Sequence, residues 1–229
     1  MNGLDSLLQQ DLVFSVLSTA EREEVMALAV QRSYGRGDNL AHYGDVWPYL
    51  FVVAEGAVQG LKESREGRSL IVIALEAGDL FWGSAFFEEN APLPVMLQAQ
   101  QASQIWLWQR DWLLPILWGN GRFSWELSRL MIRRMMRASE IVEELAFQPV
   151  AGRLAGLLLD HYQNAFDEPV ARNLTLDQMA AHIGTTREMV CRILYRFSDE
   201  DLIHITRTEF VLNDKFKLMR LSGRSGDSP

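Results

Sequence analysis

Gly184 limits what this chain can become more than any other residue. It stands between two stretches whose apolar residues recur at helical spacing. Thr175 and Gln178 have the spacing of a capping box, so a helix opens there. Leu176, Met179, Ala180 and Ile183 give that helix its buried face. Gly184 then supplies a sharp turn through positive φ, which is cheap only for glycine. Thr185 and Glu188 repeat the capping spacing, and Val190, Ile193, Leu194 and Phe197 form the next apolar stripe. On a helical wheel Glu188, Cys191, Arg192 and Tyr195 lie opposite that stripe, with Arg187 to one side at the N-terminal end. Two short helices joined by a tight glycine turn are the grammar of a helix-turn-helix.

The flank extends the pattern. After Phe197 the chain reads as a break, a strand at Leu202–Ile205, a turn at Thr206–Thr208 and a returning strand at Glu209–Leu212, which makes a wing. A recognition helix reads bases through its N-terminal residues, and the arginine fork matches guanine O6 and N7. The candidate DNA-contacting residues are therefore Thr185, Thr186, Arg187, Glu188, Cys191, Arg192 and, on the wing, Arg207. The plainer reading of the same residues is a solvated helix face.

Net charge argues against nucleic acid until it is divided. The chain of 229 residues carries −8, but residues 1–147 hold 12 basic and 19 acidic side chains, and residues 148–229 hold 10 and 11. The C-terminal third is thus near neutral, and its arginines can line one face. With 48% hydrophobic and 23% charged residues the composition is globular, enough for two modest domains or one large one. The longest apolar runs, LFVVA from Leu50 and LIVIAL from Leu70, fall far short of the ~20 residues of a membrane span. No basic, apolar, small-residue sequence opens the chain, so export is not expected. A lone Cys191 permits no intrachain disulfide and no four-cysteine metal site, which fits a reducing cytosol.

Upstream, residues 1–30 read as one or two short helices, the second capped by Thr19. Glycine-punctuated apolar runs across residues 32–110 suggest a β-roll or barrel. After Asn120-Gly121 comes a long uninterrupted helix, closed by Pro149, which marks a hinge into a new domain. Phe123, Leu127, Met131, Arg134, Ala138, Ile141 and Leu145 recur on it at steps of three and four, the spacing of a dimer seam or of a stripe packed on its own domain. The expected fold is α+β: N-terminal helices and β-roll (1–121), dimerisation helix (122–147), winged helix-turn-helix (148–221) and a loose tail (222–229). Residues 167–173 are expected to form a loop.

IGTTREMVCRIL, followed by DLI and the wing, resembles the CRP/FNR family, the cyclic-AMP receptor protein and its relatives. YGRGDNLAHYGD, LFVVAEGAV, AGDLF and the helix ending SEIVEELAF support the likeness in the correct order, over about residues 30–220. The resemblance implies a sensory β-roll resembling a cyclic-nucleotide-binding domain, a central dimer helix and a DNA-binding domain. Its implied partners are double-stranded DNA, a second copy of the chain and RNA polymerase, with a bacterial cytoplasmic setting. Arg187, Glu188 and Arg192 stand where the cyclic-AMP receptor protein type places its Arg-Glu pair and following Arg.

One segment departs from the family. Laid without gaps, the Gly-Glu of the phosphate-binding cassette falls on Trp82 and Gly83, and its Arg-Ser on Leu93 and Pro94. The adenine-contacting Thr falls on Ala138, followed by Ser139. A buried phosphate without a cation is strongly disfavoured. These residues therefore imply a degenerate pocket, either filled or fitted to an apolar effector, and regulation independent of cyclic nucleotides. All seven tryptophans lie between Trp47 and Trp125 and are expected to pack the roll and the helix base.

Other chemistries fare worse. A haem or metal enzyme on the barrel needs a ligand cluster, yet His42 is the only histidine before residue 161, so no cofactor and no catalytic residue is assigned. Oxidation of Cys191 would place a charged sulfinate against phosphates, but a small residue fitted against DNA is the simpler reading. The rival function is a small-molecule-binding β-roll whose C-terminal domain contacts protein instead of DNA.

Overall fold

The computed structural model describes residues 2–162, 166, 169–206 and 208–224. It divides into two compact units: Met1–Lys62 with Val72–Ala138, and Glu63–Ile71 with Ser139–Pro229.

In the first unit, helices α1 (Asn2–Gln10) and α2 (Thr19–Ala27) flank a 3-10 turn at Phe14–Val16. The cap of α2 is Ser18, not Thr19. Its side chain accepts from Glu21 N–H while the Glu21 carboxylate accepts from Ser18 N–H, so the box closes one residue earlier. The strands then follow: β1 (Val30–Tyr34), β2 (Asn39–Ala41), β3 (Tyr49–Glu55), β4 (Ala57–Glu63), β5 (Ser69–Glu76), β6 (Leu80–Trp82), β7 (Met96–Ala99) and β8 (Ser103–Gln109), with the short helix α3 (Ser84–Phe87) after β6. Two four-stranded sheets result, in the orders β1-β8-β3-β6 and β2-β7-β4-β5.

The unbroken apolar run in β3 has a physical cause. Side chains alternate across a strand, and this sheet is covered on both faces. Leu50 and Val52 join Leu80 and Trp108 in a core with the helices. Phe51 and Val53 join Phe81, Ile105 and Leu107 in the core between the sheets. The helical core also includes α4 (Arg110–Gly119), which forms with Pro115 inside it. Leu113, Ile116 and Leu117 are its buried face.

The turn after α1 holds a half-buried acid, Asp11. One Asp11 oxygen accepts from Val13 N–H at 2.8 Å and Phe14 N–H at 2.9 Å. Burial raises its carboxyl above the ordinary range, against those two hydrogen bonds and the charge of Arg133, with nearby Asp79 adding to the rise. A folded pKa above the unfolded one means the ionised form opposes folding, so stability rises as pH falls through the folded value. Asp11→Asn keeps the acceptor oxygen and removes the charge. At neutral pH its melting temperature is expected to equal or exceed that of the parent, without the parent's gain on mild acidification. Thermal denaturation across pH checks this.

The helix α5 (Gly121–Phe147) leads into the second unit, which contains α6 (Val150–His161), β9 (Val170–Ala171), α7 (Leu176–Ile183), α8 (Arg187–Asp199), β10 (Ile203–Ile205), β11 (Glu209–Leu212) and α9 (Lys215–Leu221). The expected loop at 167–173 carries β9, because Val170 and Ala171 pair with Phe210 and Glu209 and widen the wing to three strands. One unit ends within α5 at Ala138, and the other resumes at Ser139. The reason is visible at the C-terminal end of α5. Arg153 donates to the carbonyls of Gln148 (2.6 Å), Glu144 (3.4 Å) and Ile183 (2.9 Å), tying that end to α6 and α7. The expected loose tail is partly anchored: Arg224 forks onto both Asp160 oxygens at 2.6 Å, while 225–229 lie outside the described residues.

Candidate DNA-reading face and effector cassette

The helix-turn-helix forms where local chemistry dictates. Thr175 and Gln178 close the capping box on α7. Gly184 ends that helix at φ 63°, the left-handed region where a side chain is strained. The backbone N–H groups of Gly184 and Thr185 both close on the Ala180 carbonyl. That occupies Thr185 in the end of α7, so the cap of α8 moves to Thr186, whose hydroxyl accepts from Met189 N–H at 3.3 Å. The expected Thr185–Glu188 box is thus displaced by one residue. Val190, Ile193, Leu194 and Phe197 are buried against α6, α7 and the wing.

Burial of that stripe turns Arg187, Glu188 and Arg192 to solvent, with Cys191 half-buried between them. Arg187 meets Asp177, on the first turn of α7, at 3.3 Å. Both partners are more than half exposed, so the pair contributes little stability. Glu188 is held ionised below the usual carboxylate range, first by its own backbone N–H and then by the Thr186 hydroxyl. Leu176 and Tyr195 complete a shallow groove with Arg187, Glu188, Cys191 and Arg192. Tyr195 is outward on the helical wheel of α8 itself, whereas Leu176 reaches the groove only through the tertiary approach of α7 to α8. Arg207 lies outside the described residues. The adjoining turn is organised by the Thr206 hydroxyl, which accepts from Glu209 N–H at 2.9 Å.

The cassette positions are built differently. A Cβ on Gly83 would collide with the Trp47 carbonyl oxygen and sit 2.9 Å from the Trp47 ring, so no larger residue fits without a shift of backbone. Leu93 is 2% exposed and packs into the core between the sheets. Its backbone N–H donates to the Asp45 carbonyl at 2.8 Å, and its carbonyl accepts from Gly44. Pro94 is exposed. Trp82 stacks on Phe81 at 5.3 Å and meets Phe87 edge-on, while Phe81 reaches Phe51 and Phe51 reaches Trp47. Trp47, Phe51 and Phe81 thus pack in the core between the sheets, next in sequence or space to Trp82 and Gly83. The tryptophans split: Trp47, Trp82, Trp106 and Trp108 pack as expected, whereas Trp112, Trp118 and Trp125 are exposed. Ala138 and Ser139 are both exposed on α5.

Known proteins match both of these regions of the chain. The model of the cyclic nucleotide-binding domain matches residues 31–117, and that of the Crp-like helix-turn-helix domain matches residues 152–221. The cAMP-activated global transcriptional regulator CRP of Salmonella typhimurium is 29% identical over 174 residues, 74% of this chain and 83% of the relative. The chain belongs to the CRP/FNR family of transcription regulators. The cAMP-activated global transcriptional regulator Vfr of Pseudomonas aeruginosa is 26% identical over 194 residues, 80% of this chain and 89% of that one. A CRP/FNR-family regulator from Eubacterium rectale shares the fold, with a TM-score of 0.78 at 20% identity, covering 93% of this chain and 98% of the other. The family consists of transcription regulators, not enzymes.

The stripe read as a dimer seam, or as packed on its own domain, makes several of its contacts within the chain. Phe123 and Leu127 are buried in the helical core of the first unit. Arg134 donates to Asp79 at 3.1 Å and to the Leu80 carbonyl. Leu145 lies against the Gly184 turn. Met131 and Ile141 are half-buried, and Ala138 is exposed. A second apolar stripe faces outward instead: Trp125, Ile132, Met135, Met136 and Val142 are each more than half exposed. No helix among the described residues is long and apolar enough to cross a membrane.

Proposed function

We propose that this CRP/FNR-family regulator is a homodimer that reads a twofold-symmetric operator and does so without a cyclic nucleotide. The observation that carries DNA reading is the exposure of Arg187, Glu188 and Arg192 along one face of α8, directly after the glycine turn. Arginine offers guanine two hydrogen bonds in a fixed fork, and glutamate can accept from cytosine N4. Selection from a random duplex pool at stated salt tests the reading. A palindromic site with a guanine in each half is expected. Arg192→Ala should cost ~1–3 kcal/mol and relax preference at one base position. Equal weakening on all sequences would make Arg192 a phosphate contact instead.

Cyclic-nucleotide independence rests on the cassette. The Salmonella typhimurium and Pseudomonas aeruginosa relatives are cAMP-activated, but here Gly83 has no room for a ribose-binding carboxylate, and Leu93 directs an aliphatic chain into the core. A charge-assisted hydrogen bond is worth ~1.5–3 kcal/mol, so losing two weakens a ligand by roughly two to four decades. Titration with cyclic AMP and cyclic GMP is expected to give no heat at micromolar ligand and no gain in operator affinity; micromolar binding of either would overturn this. The roll then serves a constitutive dimer or an apolar effector. RNA polymerase is the expected partner of such a regulator, acting in the cytoplasm.

A further inference from the structure

We propose that Leu176, Cys191 and Tyr195 form an apolar ledge on the reading face that takes the 5-methyl group of thymine in duplex DNA. This rests on the DNA-reading role proposed above and adds the base that the second half of that face selects. Leu176 stands at the start of α7, and Cys191 and Tyr195 lie one turn apart on the outward side of α8. All three line the same groove as Arg187, Glu188 and Arg192.

Tyr195 is the observation that asks for a partner. It is 70% exposed, and among the described residues no ring pair or hydrogen bond engages it. An aromatic ring left in water on a polar helix face contributes nothing to the buried core. The two neighbouring guanidinium groups say what covers it, since their charge suits a polyanion and their forks suit guanine. A thiol, a leucine side chain and a ring face offer no fork to the polar edges of guanine, adenine or cytosine. Among the four bases only thymine presents a methyl group in the major groove. A ledge of this chemistry beside an arginine therefore selects a thymine next to the guanine.

Deoxyuridine lacks only that methyl group and gives a direct test. In duplexes selected from a random pool, each half-site thymine is replaced in turn by deoxyuridine. At one or two positions the parent protein is expected to lose about fourfold in affinity per half-site, and about fifteenfold when both halves are changed. Cys191→Ser and Tyr195→Ala should each shrink that penalty while leaving the guanine preference intact. Tyr195→Phe should preserve the penalty, because the ring rather than the hydroxyl makes the contact. Deoxyuridine duplexes that bind as tightly as thymine ones at every position would overturn the ledge alone. So would a penalty unchanged in both variants, or a Tyr195→Phe protein weakened equally on all sequences, as loss of a phosphate contact would make it. A pool that yields no enriched duplex would overturn the DNA-reading role and the ledge together.

Discussion

Glutamate at both Ile132 and Met135 is expected to give a monomer that no longer holds a two-half-site operator. Along α5, Trp125, Ile132 and Ser139 fall seven residues apart, and Ser128, Met135 and Val142 repeat that spacing three residues later. This is the a/d register of a two-stranded coiled coil. Ile132 is 53% exposed, Met135 62% and Val142 66%, so the stripe is unused within the chain and available to a second copy. The double variant puts four carboxylates into such a seam and leaves the core of the first unit untouched. Losing the tether between half-sites forfeits about two to four decades of affinity, while a single half-site should bind as before. Sedimentation equilibrium and titration with one- and two-half-site duplexes measure both effects. A double variant that stays dimeric would place the interface elsewhere. Leu127→Glu is a useful contrast, because Leu127 is 2% exposed in the helical core and should unfold its unit before it alters assembly.

Trp108→Ala is expected to cost ~3–5 kcal/mol of stability, a fall of about 6–20 °C in melting temperature. The ring is fully buried and meets Phe14 at 5.1 Å, which in turn meets Phe123 at 5.2 Å. Its Nε1 donates to the Val25 carbonyl at 2.8 Å, tying α2 to β8 across 83 positions of sequence. Alanine removes a fully buried indole from that core and its hydrogen bond to Val25, whose carbonyl, among the described residues, keeps Leu28 N–H at 3.2 Å. Trp108→Phe keeps most of the ring and isolates the hydrogen bond, with an expected cost of ~1–3 kcal/mol. Calorimetric melting of the pair separates packing from the bond. Near-parental melting of Trp108→Ala would mean the core recloses around alanine.

The DNA-reading helices were legible because each signal is local. A capping box spans four residues, a glycine turn needs one, and an apolar stripe declares its own opposite face. Even there, the choice between Thr185 and Thr186 as cap turned on which N–H groups close the preceding helix on Ala180. The proposed degenerate cassette was legible as uncharged residues at Gly83 and Leu93. That Gly83 is obligatory was not, since the atom excluding a side chain belongs to Trp47.

By itself, the sequence determined the helix-turn-helix, its outward arginines, the glycine-punctuated roll and the length of α5, all of which follow from spacing along the chain. It could not say which of two heptad-spaced stripes on α5 faces home. Both satisfy helical periodicity, and periodicity carries no information about what lies beside a helix. Tertiary structure decided it by laying Asp79 and the Leu80 carbonyl against Arg134 and burying Phe123 and Leu127 with Trp108. Desolvating that stripe inside the unit left Ile132, Met135 and Val142 in water. In the same way the approach of α7 to α8 set Leu176 beside Tyr195, because a groove is made by two elements and neither one's sequence describes the space between them.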